Sequence, residues 1–395
     1  MKMSTRSGGL AAALAGFALV LSACSAQAPA DSKGSGDSSS TSSSGGDALP
    51  NTTGQKTLDA IEANTGVDGA KKLLAMWTAT PTTIGITEPV KGKIPSGKKI
   101  AFMNCGVEVC IALGKAVKEA ATVLGWTVED VNVGASPDEI SGAWNRVAAG
   151  DYDGVIASGL PSVLFADAVD KLKKKGVPIA ECCVADDNPG ITAIVGDSTV
   201  PPTGKQYAAW VAADSDGKAN TLWVGSADFP IIATLKSNFD EGMKSWCPDC
   251  KVADIDIPAA EIGTTMPTKI AAYVRSHPDV NYIALGYDGF ATGLPQALQD
   301  AGVADKVKFI GDDALPMNKQ MVMDGQQGAS IAFPIYEEMY AAVDALARTF
   351  VGESVEPSLS MMPLQIYTKD NINDPSKFEP LVPDYKEQFM KLWGK

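Results

Sequence analysis

The sequence predicts an α/β protein made of two Rossmann-like lobes, each with a doubly wound parallel sheet. Three observations predict this fold class. Short apolar strands alternate with helices of about 10–15 residues. The alternation runs in two successive series along the chain. The chain after the N-terminal region is also too long for one ordinary hydrophobic core.

The first series occupies residues 98–200. Ser136 is the predicted N-cap of one helix, and Lys173, Lys174 and Lys175 lie in the last turn of the next, where they favour the helix dipole. The predicted strands are 99–103, 128–133, 154–157, 178–182 and 191–195, and the predicted helices are 109–124, 137–149 and 162–175.

The second series follows Asp197. Its predicted helices are 204–213, 231–244, 267–276, 291–301, 317–323 and 336–350, and its predicted strands are 221–224, 251–257, 282–285, 308–311 and 328–332. Ligands of open α/β sheets bind beyond the carboxyl ends of the strands. Two such lobes therefore predict a binding site in the cleft between them.

The N-terminus has the features of an export signal. Lys2 and Arg6 precede an uncharged apolar run at 10–21, which is short for a membrane span. Leu21-Ser22-Ala23-Cys24 resembles the lipobox of bacterial lipoproteins, in which the cysteine is lipidated. From residue 31 to residue 46, 12 of 16 residues are Ser or Gly, a composition typical of a flexible tether. We therefore predict a signal peptide at 1–23, a lipidated Cys24 with its tether at 24–50, and an N-terminal extension at 51–97.

Composition and charge exclude several classes of function. The chain is 45% hydrophobic and 20% charged, with a formal net charge of -14, and it has no basic stripe for nucleic acid or an anionic membrane surface. Its single histidine, His277, lies in a Ser-His-Pro turn, and no nucleophile and base motif is present. We predict no enzymatic activity, no metal site and no cofactor. An exported enzyme that uses Asp312 and Asp313 is the weaker alternative.

Six cysteines besides Cys24 fall into three close pairs, and export favours disulfides. We predict the disulfides Cys105–Cys110 and Cys247–Cys250. For Cys182 and Cys183, free or separately paired thiols are favoured because adjacent strand residues point to opposite faces. A Cys182–Cys183 disulfide, or pairing with Cys105 or Cys110, stays open.

Several motifs over about residues 98–370 together resemble the type I periplasmic binding proteins, in the sugar-binding branch related to ribose-binding protein. The motifs are Ile100 to Asn104, Lys118-Glu119-Ala120-Ala121 with Leu124-Gly125-Trp126, Gly154-Val155-Ile156, Gly176-Val177-Pro178-Ile179, Asp279-Val280-Asn281-Tyr282, Tyr287-Asp288-Gly289 with Leu294, and Phe309-Ile310-Gly311-Asp312-Asp313. The resemblance implies a monomer with a three-segment hinge, crossed near 197–203, 333–334 and 366–370. It implies an N-terminal lobe of 98–200 plus 334–366, and a C-terminal lobe and tail of 201–333 plus 367–395.

The same resemblance implies the binding residues, and this chain departs from the sugar binders at most of them. The predicted ligand-binding residues are Asn104, Val107, Glu108, Cys110, Ser158, Cys183, Val184, Phe229, Tyr287, Asp288, Asp313, Phe333 and Tyr336. The family's Asp at position 288 either binds ligand or orders the hinge. Sugar hydroxyls left without partners cost about 1–3 kcal/mol each. An apolar or aromatic ligand with an amine or hydroxyl near Asp312 or Asp313 fits better. A sugar stays open if Asn104, Glu108, Ser158 and Asp187 turn inward.

The function implied is capture of a small molecule for an importer with permease and ATPase subunits. The ligand contacts both lobes in the closed form, so binding favours closure. A receptor for a membrane signalling partner has the same sequence features and stays the alternative. The lipid on Cys24 is the predicted membrane attachment.

Overall fold

The computed structural model describes residues 48–106, 108–134, 136–184 and 187–395. The predicted signal peptide, Cys24, most of the tether and Val107 lie outside these residues. Within the described ranges, no helix is both long and apolar enough to cross a membrane. The residues described below belong to one compact unit, Asp47–Lys395.

Two parallel sheets confirm the predicted fold class. The N-terminal sheet has the order β2-β1-β3-β4-β5, and the C-terminal sheet has the order β11-β10-β9-β8-β6-β7, in which only β10 and β11 pair antiparallel. The strands are β1 (Lys99–Asn104), β2 (Thr127–Asn132), β3 (Gly154–Ser158), β4 (Ile179–Cys182), β5 (Ala193–Val195), β6 (Asn220–Gly225), β7 (Lys251–Asp256), β8 (Tyr282–Leu285), β9 (Lys308–Asp312), β10 (Ala329–Ala332) and β11 (Gln365–Tyr367).

Helices cover both sheets, and local sequence signals explain several of their ends. Ser136 and Glu139 form a capping box at the start of α4, as the Ser136 prediction required. Gly176, with φ of 73°, ends α5 in the left-handed conformation that glycine favours. The helices are α1 (Gln55–Ala63), α2 (Gly66–Thr78), α3 (Glu108–Val123), α4 (Pro137–Ala149), α5 (Ala166–Lys175), α6 (Val200–Asp214), α7 (Ile231–Trp246), α8 (Met266–Ser276), α9 (Leu294–Asp300), α10 (Pro316–Met323), α11 (Ile335–Val351) and α12 (Tyr385–Leu392).

The N-terminal extension contacts both lobes. Its helix α2 buries Leu73, Met76 and Trp77 in the core of the C-terminal lobe. The following segment has no helix or strand, and its Ile84 and Ile94 are buried in a core of the N-terminal lobe. The extension is therefore an integral part of the folded unit that links the two lobes.

The C-terminal tail corrects the predicted lobe boundaries. Residues 367–395 were assigned to the C-terminal lobe, but α12 packs on the N-terminal lobe. Phe389 and Trp393 lie in the same core as Tyr340 of α11, and Trp393 Nε1 donates a hydrogen bond of 2.7 Å to Asp344. The apolar face of α12 needs an apolar partner, and α11 supplies it.

The hinge also differs from the expected three crossings. The third crossing comes before β11, because Gln365–Tyr367 already pairs with β10 in the C-terminal sheet. The segment after α2 and the tail before α12 add two more. Judged by the cores on either side, the described residues cross between the lobes five times, near 79–83, 196–199, 333–334, 360–364 and 373–381.

Candidate ligand-binding cleft

A cavity of about 560 Å³ lies between the lobes, at the carboxyl ends of strands from both sheets. Ser158 ends β3 and Cys183 directly follows β4 on the N-terminal side. On the C-terminal side, Tyr287 follows β8 and Asp312 ends β9. Side chains of all four residues line the cavity. The predicted position of the site therefore holds a cavity of the right size for a small molecule.

Most of the predicted binding residues meet around this cavity. Those that line it are Glu108, Cys110, Ser158, Cys183, Val184, Phe229, Tyr287, Asp313 and Phe333, together with Asp312. Asn104, Asp288 and Tyr336 are not among its lining residues, and Asp187 is also absent from them. Val107 lies outside the described residues. That the lining residues bind a ligand stays a prediction.

Asn104 and Tyr336 serve other contacts. The Asn104 amide nitrogen donates to Asp130, and its side-chain oxygen accepts a hydrogen bond of 2.9 Å from the Gly106 N–H. Asn104 therefore shapes the turn between β1 and α3. Tyr336 packs against Tyr385 of α12, with ring centroids 5.5 Å apart. Tyr336 was predicted as a ligand-binding residue, but its ring packs against the tail and does not line the cavity.

Asp288 is fully buried and has hydrogen-bonding partners on both carboxylate oxygens. Gln327 Nε2 donates to Oδ1 over 2.9 Å, and the Ser330 hydroxyl donates to Oδ2 over 2.5 Å. Burial, with a smaller contribution from the Asp313 charge, raises the pKa of Asp288 to about 8. These contacts join the segment after β8 to β10 and to the turn before it, so Asp288 orders the wall of the cleft and is not among the residues that line its cavity.

Two disulfides are present, at the predicted pairs. Cys105 and Cys110, with Cα atoms 5.7 Å apart, connect the end of β1 to the first turn of α3. Cys110 Sγ lies 3.4 Å from the Ser158 hydroxyl, so this disulfide forms part of the cavity wall. Cys247 and Cys250, with Cα atoms 5.3 Å apart, close the turn between α7 and β7 and do not line the cavity.

The C-terminal wall of the cavity is largely apolar. Phe229 and Tyr287 approach edge to face, with ring centroids 6.4 Å apart. Ile232 and Leu235 of α7 line the same wall. Burial raises the pKa of Tyr287, so its phenol stays protonated and can donate a hydrogen bond. This wall offers packing for an apolar or aromatic ligand.

The charged residues of the cavity all have the same sign. In the described part of the chain no Lys, Arg, His, Asn or Gln side chain lines it. Its acids are Glu108, Asp197, Asp312, Asp313 and Glu338. Its neutral hydroxyls are those of Ser158, Thr199, Thr203, Tyr287 and Thr292.

Three of these acids have no basic side chain beside them in the described part of the chain; Glu338 is buried, and Asp312 and Asp313 are half-buried. Burial raises the pKa of Asp313 to about 7. Burial and then the Asp313 charge raise the pKa values of Asp312 and of Glu338 well above the ordinary range. Asp313 and the following Ala314 also have positive φ, at 97° and 46°, a strained conformation that clusters at binding sites. A bound cation would relieve the repulsion among these carboxylates.

Glu338 is the main cavity residue that the sequence analysis missed. It lies in the first turn of α11, two residues after Tyr336, and is only 3% exposed. A signal was available, because Glu337 and Glu338 are adjacent acids at the start of a largely apolar helix. Which of the neighbouring side chains faces the cleft depends on the rotation of α11, and that is set by packing against β4 and β5.

Cys182 and Cys183 carry free thiols in the structure, which was the favoured alternative. Cys182 is fully buried and Cys183 is partly exposed to the cavity. The prediction rested on the two side chains pointing to opposite faces of a strand, and this reason was wrong. Cys183 has φ of 62°, so the two thiols do not point to opposite faces but lie close to one another and to Glu338.

Comparisons with known proteins agree with this architecture. Residues 100–354 match the family model described as a periplasmic binding protein domain. The comparison with curated protein sequences gave no match.

This chain aligns with almost the whole length of several solved structures that have the same fold. An ABC sugar transporter subunit from Rhodobacter sphaeroides has 21% identity and a TM-score of 0.61 over 70% of this chain and 99% of its own. GanP, a glucose-galactose binding protein from Geobacillus stearothermophilus, has 21% identity and a TM-score of 0.62 over 71% and 100%. A 5-methylthioribose transporter solute binding protein from Thermotoga lettingae has 18% identity and a TM-score of 0.60 over 78% and 96%.

The family match covers more than half of the chain, and the two parallel-sheet lobes enclose the cavity that such a fold requires. The chain belongs to the family of periplasmic binding protein domains and has the type I fold of that family.

Proposed function

We propose that this chain is the extracytoplasmic solute-binding component of an ABC importer, anchored to the cell membrane by a lipid on Cys24. Its ligand has an apolar or aromatic body and a positively charged group such as an amine. The observation that carries this proposal is the interlobe cavity, which combines an apolar wall with five acids and no basic side chain among the described residues.

The charge of the cavity supports an amine over a neutral ligand. Asp312, Asp313 and Glu338 are enclosed and mutually repulsive. An ammonium group placed between them would favour their charged forms and gain charge-assisted hydrogen bonds. A neutral ligand supplies no such compensation.

The hydrogen-bonding groups of the cavity support the same choice over a sugar. A sugar hydroxyl both donates and accepts hydrogen bonds, and the lining residues that the structure describes have no side-chain amide or basic donor to match it. Several relatives of the same fold are named as sugar transporter subunits or sugar-binding proteins. Another relative of the same fold binds 5-methylthioribose, so the fold accepts ligands that carry apolar groups.

Capture would depend on both lobes. Cys183 and Glu338 belong to one lobe, while Tyr287 and Asp313 belong to the other, and all four line one cavity. A ligand in contact with both sets would favour the closed form by its difference in affinity for the two forms. The closed lobes would then be the surface that the permease recognises, and the ligand would be released unchanged.

The experiment is a thermal-shift screen of the exported chain carrying Cys24→Ser, which prevents lipidation. The panel sets pentoses, hexoses and polyols against aromatic and aliphatic amines and their uncharged counterparts. A ligand at 100 times its dissociation constant stabilises the fold by about 2.7 kcal/mol. We expect only amines with apolar bodies to raise the melting temperature, and Phe229→Ala to weaken this effect. Stabilisation by sugars or polyols alone would contradict the proposal.

A further inference from the structure

Three side chains of the kind that bind soft metal ions meet at the N-terminal wall of the cleft. Cys182 ends β4 and Cys183 follows it, and the Glu338 carboxylate comes from the first turn of α11. One potential ligand atom from each lies within 4.8 Å of the others. Among the described residues this is the one group of three or more such side chains that could hold an ion.

The backbone at Cys183 makes this arrangement possible. Consecutive residues of an extended strand point to opposite faces, which would separate the two thiols. Cys183 instead has φ of 62°, a left-handed conformation that is unfavourable for a residue with a Cβ. Such strain persists where the surrounding structure requires it, and it clusters at ligand sites.

Glu338 supplies a second, independent observation. Its side chain is only 3% exposed, and its Oε2 has no hydrogen-bonding partner. A buried carboxylate oxygen without a partner is unusual, because buried polar groups are nearly always hydrogen-bonded. The carboxylate lies so close to Gly196 that no Cβ would fit there. The fold thus makes room for a carboxylate and leaves one of its oxygens without a donor.

The surroundings of the thiols favour a cation. Glu338 offers a carboxylate oxygen within 4.8 Å of both thiol sulfurs, and Asp313 lines the same cavity. Among the described residues no Lys, Arg or His side chain lines this cavity. A cation here would meet carboxylates and no competing positive side chain.

We propose that Cys182, Cys183 and Glu338 bind one thiophilic divalent cation of the zinc type, with a fourth coordination position open to the cleft. Thiolate and carboxylate are ligands that Zn²⁺ accepts, and three protein ligands with one open position are typical of its non-structural sites. Cys183 and Glu338 line the cavity, so the open position faces the space for the organic ligand. Glu338 is also one of the acids proposed to hold the ammonium group, whereas Asp312 and Asp313 are not ligands of this metal site.

Binding of the metal ion releases protons and requires the three ligand atoms to move slightly closer together. Each thiol releases its proton to solvent and binds through a sulfur lone pair, and Glu338 binds as carboxylate, releasing the proton that it holds when neutral. No electron is transferred. Zinc–sulfur distances are about 2.3 Å, so ligand atoms spread over 4.8 Å must approach each other slightly. Side-chain rotation is enough for this change.

The experiment is titration of the exported chain with Cd²⁺, in the absence of any organic ligand, followed by the ultraviolet thiolate-to-metal charge-transfer band. We expect saturation at one equivalent, competition by Zn²⁺ but not by Mg²⁺, and proton release in weakly buffered solution. Cys183→Ser and the near-isosteric Glu338→Gln should each weaken Cd²⁺ binding at least tenfold. The matched control Cys247→Ser with Cys250→Ser should leave it unchanged, with folding of every variant checked by circular dichroism.

Three results would overturn the proposal. They are no band with excess Cd²⁺, a band that survives Cys183→Ser at full strength, and a Cys182–Cys183 disulfide found by mass spectrometry in the exported protein. The result is independent of the proposed solute, because no organic ligand is added. Cys182 does not line the cavity, so Cys182→Ser should remove the metal site and leave the amine screen unaffected. Failure of the screen would leave the Cd²⁺ titration unaffected.

Discussion

Asp288 and Glu338 are both buried acids beside the same cleft, and they differ in the partners of their carboxylates. Asp288 accepts hydrogen bonds from Gln327 and Ser330, so each of its oxygens has a donor. Glu338 has an oxygen without any partner and lines the cavity. The difference indicates that Asp288 supports the fold, whereas Glu338 is available to a ligand. Only a carboxylate oxygen that lacks a partner gains a new interaction when a ligand binds.

The largest expected effect on stability comes from Asp288→Ala. The substitution leaves the Gln327 amide and the Ser330 hydroxyl buried without their acceptor. We expect the free energy of unfolding to fall by about 3 kcal/mol. Urea denaturation followed by circular dichroism measures it. A loss below about 1 kcal/mol would show that the Asp288 contacts contribute little to the fold.

A smaller effect for each pH unit, about 1 kcal/mol, is expected from pH, again through Asp288. The pKa of this group is raised to about 8 in the folded protein, above about 4 in an unfolded chain. The folded state therefore binds more protons than the unfolded state between these values. Stability is greatest at the acidic end of the window and falls as pH rises towards 8, by about 1 kcal/mol per pH unit from this group.

The measurement is the melting temperature between pH 5 and pH 9 at constant ionic strength, for the wild type and for Asp288→Asn. The Asn variant keeps a polar group of the same shape but carries no titratable proton, so its melting temperature should depend less on pH. If the melting temperatures of both proteins depend on pH with the same slope, Asp288 is not the source of the pH dependence. Asp313, whose charge contributes to the pKa of Asp288, would be replaced next by Asn.

The smallest expected effect on stability comes from Glu338→Ala, the matched substitution at the other acid. Removal of the carboxylate leaves no donor stranded at Oε2 and also removes a buried ionisable group. We expect the free energy of unfolding to change by less than about 1 kcal/mol, measured as for Asp288→Ala. A loss as large as that of Asp288→Ala would mean that Glu338 supports the fold, and the contrast between the two acids would fail.

The sequence predicted the elements that carry the cleft because they repeat a simple pattern. Strand β8 was predicted at 282–285 and lies at Tyr282–Leu285. Residues after strands, such as Cys183, Tyr287 and Asp313, were placed correctly at the cavity. The carboxyl ends of parallel strands meet at one edge of a sheet. The topology alone therefore places the residues that follow these strands close to one another.

Features that depend on packing between distant segments were not predicted. The rotation of α11 decides that Glu338, and not Tyr336, faces the cavity. The docking of α12 on Tyr340 rests on an apolar face that would fit either lobe. The left-handed backbone at Cys183 contradicts the strand preference of its own sequence. Each of these features depends on tertiary packing, and the local sequence does not indicate it.

The central claim, that the acids of the cleft bind a cationic solute, is tested most directly with matched pairs of ligands. Each pair consists of an amine and the alcohol with the same carbon skeleton, so only the charged group differs. The melting temperature of the exported chain with each member is compared for the wild type and for Asp313→Asn. The account predicts that amines stabilise the wild type more than their alcohols do, and that Asp313→Asn reduces this difference. Equal stabilisation by the two members, or greater stabilisation by the alcohols, would contradict it.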